Sequence, residues 1–181
     1  MLEYCLIATA FGPVGLAWSE NGLVRLQLPD VDSRSTLSRL TKRLEGEENH
    51  PPAWLEPTVI RLQRYFSGAQ VDFSKSPLDL EGVPEFNRSL YLEMLQLGWG
   101  ETVTYGELAE RTGRSGAAQS VGRAMGRNPL PVIVPCHRVL AAGNRMGGFS
   151  APGGVSTKFR LLEMEGVHFA RRNPAQMAFA F

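Results

Sequence analysis

Residues Val132 to Leu140 read VIVPCHRVL, and this stretch limits the fold more than any other part of the chain. A cysteine, a histidine and an arginine follow one another inside an otherwise apolar run, with prolines at Pro131 and Pro135 just ahead of them. A buried strand has no use for His137 and Arg138, because an ionised group costs several kcal/mol to bury unpaired. The chain must fold so that this polar triplet is partnered or used, which packing alone does not explain.

The chain has 181 residues, 43% of them apolar. That length suffices for one sizeable core or for two small ones of under about 100 residues each. Two are expected: a scaffold over residues 1–83 and a second domain over 84–167, followed by a tail at 168–181. No apolar run approaches the roughly 18 residues of a membrane span. The opening Met1-Leu2-Glu3-Tyr4 lacks a basic leader segment, so a soluble, cytoplasmic protein without a membrane partner is expected. The only cysteines, Cys5 and Cys136, lie far apart and outside any C-x-x-C spacing, which argues against a disulfide framework or a metal site.

A formal charge of +1 conceals an asymmetry. Residues 1–83 carry eight Lys/Arg against eleven Asp/Glu, and residues 84–181 carry eleven against seven. Between Arg111 and Leu162 there are eight basic residues and no acidic one. Such a run attracts a polyanion through counterion release and fits nucleic acid. A solvated basic face fits the charge count equally well.

In the first half, YCLIATAFGPVGLAWSENGLVRLQLP predicts a small antiparallel sheet, broken at Gly12-Pro13 and at Glu20-Asn21-Gly22. Leu37, Leu40 and Leu44 repeat at helical spacing, and Val59, Leu62, Tyr65 and Phe66 mark one face of a second helix. Nothing in this half carries a chemical signature, so it reads as scaffold. The second half opens with a helix from about Pro84, taken as its first residue, presenting Phe86, Leu90 and Met94. Thr104 and Glu107 then stand in capping-box register, with Gly113 to end that helix and another starting near Ser115. The pair has the helix-turn-helix pattern. In the latter helix Ala117, Val121, Ala124 and Met125 would face the core, with Gln119, Arg123 and Arg127 outside. Ala118, Ser120 and Gly122 make it thin, which suits either close helix packing or entry into a groove only about 6 Å wide.

Cys136 in apolar surroundings is ordinarily an inert core thiol. Its neighbours argue for a reactive one, since the thiolate is the nucleophile and a nearby base or cation lowers its pKa. Adjacent side chains on an extended backbone point opposite ways, so a turn at Pro135 or a bridging water must bring base and sulfur together. A base also needs a partner to hold its ring, and Glu163 and Glu165 are the candidates on the helix predicted in STKFRLLEMEG.

NPLPVIVPCHRVL, with GETVTYGELA before it and GGFSAPGG and KFRLLEMEG after it, resembles the O6-alkylguanine-DNA alkyltransferase family, the methylated-DNA–protein-cysteine methyltransferases. The resemblance runs almost without gaps from about Gly100 to Gly166 and is most specific at Pro135-Cys136-His137-Arg138-Val139. Over residues 1–83 it is limited to the hairpin and general size. It implies an α/β (α+β) fold, with a ribonuclease-H-like N-terminal domain and a winged-helix-like DNA-binding domain, in which GNRMGGFSAPGG closes the pocket.

The resemblance further implies that Cys136 accepts an alkyl group from O6-alkylguanine in double-stranded DNA, with O4-alkylthymine as a second candidate substrate. His137 would be the base acting through a water, Glu165 the carboxylate orienting it, Asn128 the holder of the turn and Tyr105 the donor to the guanine ring. Met125, Val139, Phe149 and Ser150 would line the base pocket. Ala118, Gln119, Ser120, Gly122, Arg123 and Arg127 would meet DNA. The alkylated base must rotate out of the stack to reach an open, ionised sulfur. A thioether is a poor leaving group, so each molecule, a monomer needing no cofactor, should act once.

Two features depart from the family. Gln119 occupies the place of its usual arginine, which predicts weaker and less salt-sensitive DNA binding, and FSAPGG is two residues longer than the usual loop. Two other functions are weighed against transfer. One is an alkyltransferase-like damage sensor, which flips the base without accepting its alkyl group and characteristically lacks the cysteine present here. The other is a cysteine hydrolase with a Cys-His pair, for which the sequence suggests no cleft.

Overall fold

The computed structural model describes residues 1–169. Its first half is a four-stranded sheet: β1 (Leu2–Thr9), β2 (Gly12–Ser19), β3 (Gly22–Gln27) and β4 (Gly46–Glu48), in the order β3-β2-β1-β4. The first three strands form the expected antiparallel meander, and Asn21-Gly22 sits at the second reversal. The short β4, not foreseen, runs parallel to β1.

Helix α1 (Ser33–Thr41) is capped by Asp32, whose carboxylate accepts from the Ser35 N–H at 2.7 Å. Leu37 and Leu40 belong to it, whereas Leu44 lies beyond its end, in the turn that leads to β4. Helix α2 (Glu56–Phe66) buries Leu62, Tyr65 and Phe66 against the sheet core.

The second half is helical. Pro84 stands at the N-cap of α3 (Glu85–Met94), one place before the position expected from the sequence. The capping box of α4 (Tyr105–Arg111) is complete: Glu107 N–H donates to Thr104 Oγ1 at 3.2 Å, and Thr104 N–H to Glu107 Oε2 at 2.7 Å. Helix α5 (Ala118–Met125) starts three residues later than Ser115, because Arg114 to Ala117 close a separate turn. Helix α6 (Gly154–Met164) ends the described domain, with Glu165 as its C-cap.

Two short strands, β5 (Val103–Thr104) and β6 (Val139–Leu140), pair in parallel and fix the site. Val103 stands opposite Val139 and Thr104 opposite Leu140, so Tyr105, the first residue of α4, is held beside the chain that leaves Cys136. One continuous apolar cluster joins both halves, from Ile7 and Leu16 in the sheet through Tyr65 and Tyr91 to Val121 and Leu161. The Leu26 N–H also donates to Pro129 O at 2.8 Å, tying the edge strand to the segment before the cysteine. Among the described residues no helix is long and apolar enough to cross a membrane. Of the tail, Phe169 lies 6.0 Å from Phe159 between ring centroids, and the expectation for residues 170–181 falls outside the described residues.

Candidate active site

Residues Cys136–Arg138 form a single turn of 3-10 helix, entered from Pro135 at φ −79°, ψ 61°. The Cys136 N–H donates to Val134 O at 2.7 Å and the Arg138 N–H to Pro135 O at 2.8 Å. A 3-10 turn advances about 120° per residue. The three polar side chains therefore leave the backbone in three directions, and the extended geometry that would oppose Cys136 and His137 does not arise. Ahead of the turn, the buried Val132 has φ +75°, a left-handed conformation that is an outlier for a β-branched residue. Asn128 braces this segment from both sides: its Nδ2 donates to Val134 O at 2.8 Å and its Oδ1 accepts from Leu130 N–H at 3.0 Å.

His137 is fully buried, and its Nε2 lies 2.8 Å from Glu165 Oε1. Glu165 is the hub of the site. Arg138 grips it twice, through Nε to Oε2 at 2.7 Å and Nη2 to Oε1 at 3.0 Å, while Arg138 Nη1 donates to Leu97 O at 2.7 Å. The Gly100 N–H reaches Oε2 at 3.3 Å, and the Tyr65 hydroxyl donates to Oε1 at 2.6 Å. Gly100 has φ +72°, and a Cβ there would stand 2.7 Å from Glu165 O, so only glycine permits this approach. Burial pushes the Glu165 carboxyl up, but the hydrogen bonds from His137 and Arg138 and the Arg138 charge outweigh it and hold the group well below the usual carboxylate range. Burial also lowers the His137 pKa, against the opposing pull of Glu165. The imidazole is therefore neutral, with Nε2–H donating to the carboxylate, and its Nδ1 is buried without a hydrogen-bond partner among the described residues. A neutral ring with its proton on Nε2 has its lone pair on Nδ1.

Cys136 has only 6% of its surface exposed. Burial raises its thiol pKa, opposed by a hydrogen bond with Asn128 and the charge of Lys158. The open, ionised sulfur expected from sequence is thus not the resting form, because desolvation outweighs the neighbouring cation. That cation is also not Arg138, whose charge is spent on Glu165. Lys158, buried on α6, takes the place: its Nζ donates to Val139 O at 2.5 Å and approaches Gly148 O at 3.4 Å. Burial lowers the Lys158 pKa to about 8, with Cys136 acting to raise it. Above it lies the ring of Tyr105, 5.9 Å from Nζ, whose phenol is pushed up by burial and by the Cys136 sulfur. A Cβ at Gly147 would come within 3.1 Å of the Tyr105 hydroxyl, so that glycine lets the following loop close over the ring.

A family description of the 6-O-methylguanine DNA methyltransferase DNA-binding domain matches residues 85–167, and that of the same proteins' ribonuclease-like domain matches residues 2–80. The methylated-DNA–protein-cysteine methyltransferase of Mycobacterium leprae is 40% identical over 154 residues, covering 85% of this chain and 86% of its own. That of Mycobacterium tuberculosis is 34% identical over 168 residues, covering 91% and 93%. The chain belongs to the methylated-DNA–protein-cysteine methyltransferase family. The crystal structure of Mycobacterium tuberculosis OGT in complex with DNA superposes with a TM-score of 0.74 at 34% identity, over 90% of this chain and 92% of that one. The O6-methylguanine-DNA methyltransferase of Pyrococcus kodakaraensis gives 0.68 at 28%, over 92% and 100%.

In this family member the remaining sequence-predicted residues divide by location. Met125 and Val139 are buried in the same apolar cluster as Cys136, with Phe149 packed against it, whereas Ser150 is exposed. Gln119 and Arg123 are exposed on the outer face of α5, with Ala118, Ser120 and Gly122 half-buried between them, whereas Arg127, also exposed, lies in the turn beyond the helix, which ends at Met125. Arg123 Nη2 donates to Ser120 Oγ at 2.9 Å. Sequence reasoning missed Lys158, Gly100 and Tyr65. Lys158 precedes Glu165 by seven residues, two helical turns, which was a usable signal that both lie on one face. Tyr65 had none, since it looked like any other core aromatic, and the first half is accordingly more than scaffold.

Proposed function

We propose that the protein repairs DNA by direct reversal, carrying the alkyl group of O6-alkylguanine onto Cys136 Sγ once per molecule. The observation that carries this reading is the Glu165-bound imidazole of His137, on the same turn as Cys136, with its Nδ1 buried and unpartnered among the described residues. In a duplex the damaged nucleotide rotates out, at a cost of a few kcal/mol. Its arrival displaces the loop at Gly147 and Gly148 from Tyr105 and opens the thiol, which is otherwise protected. The Cys136 proton passes through a water to His137 Nδ1, and the imidazolium formed is stabilised by Glu165. Sγ then attacks the alkyl carbon, forming the S–C bond as the C–O6 bond breaks. The electron pair of the broken bond passes to O6 and the guanine ring, which takes up a proton from Tyr105, and the proton held by His137 returns through water to Tyr105. Asn128 and Lys158 hold the turn and stabilise the thiolate. The products are an S-alkylcysteine and an unmodified guanine.

Several finer features belong to this reading. The chain works as a monomer in the cytoplasm, with residues 1–83 and 84–167 as its two units and α4–α5 as the DNA-binding pair of a winged-helix-like domain. The exposed Gln119, Arg123 and Arg127 face the DNA, and Met125, Val139, Phe149 and Ser150 line the base pocket. Incubation with a duplex containing O6-methylguanine, followed by mass spectrometry of the digest, tests the transfer. One methyl gained on the Cys136 peptide is expected, with none on Cys5. An unmodified peptide from protein that still binds the damaged duplex would point to the damage-sensor function instead.

A further inference from the structure

Glu165 Oε1 receives three donors from two halves of the chain: His137 Nε2 at 2.8 Å, Arg138 Nη2 at 3.0 Å and the Tyr65 hydroxyl at 2.6 Å. The Tyr65 oxygen also lies 3.2 Å from His137 Nε2. An ionised carboxylate accepts only, and a phenol has a single proton to give. The Tyr65 proton is therefore committed to Glu165, and the Tyr65 oxygen can meet His137 Nε2 only as an acceptor. Both groups facing Nε2 demand a proton on it. Each thereby leaves the lone pair of the neutral ring on Nδ1.

We propose that Tyr65, supplied by helix α2 of the N-terminal half, is a positioning residue for alkyl transfer that locks the Glu165 carboxylate and the His137 tautomer. The proposal rests on the reading of His137 as the base for Cys136. Tyr65 is suited to the task because it is itself immobile. It is completely buried, and its ring stands edge-on to Trp99 at 5.5 Å and to Phe66 at 5.3 Å, with Phe73 at 5.8 Å. Burial, followed by the charge of Glu165, raises its pKa well above that of an ordinary phenol, so the hydroxyl stays a donor across the working range. A phenylalanine would fill the same space and serve the core equally well. The hydroxyl, buried where an unpaired polar group is costly, is explained by its bond to the relay.

The consequence is that the sheet half takes part in the chemistry of the helical half. Orientation of a catalytic group is sensitive to displacements of about 1 Å, which cost on the order of a hundredfold in rate. Loss of one of two restraints on the imidazole should cost less, roughly tenfold.

The test is the single-turnover rate of methyl transfer from an O6-methylguanine duplex, measured for wild type, Tyr65→Phe, His137→Gln and the double variant, with DNA affinity and urea stability measured on each. The expected result is a roughly tenfold slower Tyr65→Phe protein with unchanged DNA affinity, and a double variant within twofold of His137→Gln alone. A residue acting through the imidazole adds nothing once the imidazole is gone, whereas a packing effect persists in both backgrounds. Wild-type speed in Tyr65→Phe, or a tenfold loss that survives in the His137→Gln background, overturns the role of Tyr65 while leaving the function intact. A wild-type protein that binds the duplex and transfers nothing removes both.

Discussion

Replacing Glu165 by Gln keeps the size of the side chain and removes its charge. Arg138 and Glu165 are 6% and 0% exposed, so solvent screens their interaction little. In the variant, the amide nitrogen would face Arg138 or His137 with a donor against donors, and the guanidinium would stay buried without its counter-charge. Removing one partner of a buried pair costs about 3–5 kcal/mol. For a chain of this length each kcal/mol lowers the melting temperature by roughly 2–4 °C, so a loss on the order of 10 °C is expected. Urea denaturation at pH 7.5 measures the free energy directly. The double variant Arg138→Met/Glu165→Gln, in which no unpaired charge remains, should recover most of the stability. Its transfer rate should stay about a hundredfold below wild type, because the imidazole still lacks its carboxylate. A Glu165→Gln protein within about 1 kcal/mol of wild type, or a double variant no more stable than the single one, would refute the account of Glu165 as the charged hub.

Other expectations concern pH, DNA binding and the local supports of the site. Folding holds the pKa values of both His137 and Glu165 below their unfolded values, so the unfolded chain binds more protons as pH falls. Stability should be level between about pH 6.5 and about pH 7.5, decline below that range as the unfolded histidine charges, and decline again below about pH 4.3. A urea midpoint that stays constant from pH 7.5 to pH 5 would contradict the buried neutral imidazole. Gln119→Arg adds one cation to the exposed face of α5 and should tighten DNA binding and steepen the salt dependence by about one unit of log–log slope. Equal affinity and slope for the two proteins would place Gln119 away from the phosphates. Lys158→Met removes the cation whose charge lowers the Cys136 thiol pKa and the donor to Val139 O. In a Cys5→Ser background, iodoacetamide should then label Cys136 several-fold more slowly at pH 8, and unchanged labelling would show that Lys158 does not support the thiolate. Thr104→Ala removes the cap of α4, which carries Tyr105, at an expected cost of about 1 kcal/mol in urea denaturation.

The positions of Gln119 and Arg123 on one helix face, and the cap at Thr104, were legible because they depend on spacing within one helix, whereas Arg127 falls in the turn after Gly126 ends it. The start of α5 was misplaced by three residues, since Gly113 and Gly116 leave the intervening turn undetermined by periodicity. Glu165 was narrowed to two acidic candidates by the residues themselves, and only the family resemblance chose between them. Its five donors come from Tyr65, Gly100, His137 and Arg138, on three separate segments.

The sequence by itself determined the local grammar of this protein: the Asn-Gly reversal, the capping box, the thin basic helix and the reactive residue types gathered behind Pro135. Those follow from backbone preference and from chemistry carried within a few residues. Only the tertiary structure decided that Arg138 serves Glu165 rather than the thiol, that the buried Lys158 supplies the charge felt by Cys136, and that the sulfur rests buried and protonated. Charge and ionisation are settled by desolvation and by whichever groups the folded chain brings within a few ångströms, and neither is written in sequence order. Tyr65 shows this most clearly, because one hydroxyl distinguishes it from a packing residue and its partner lies a hundred residues away.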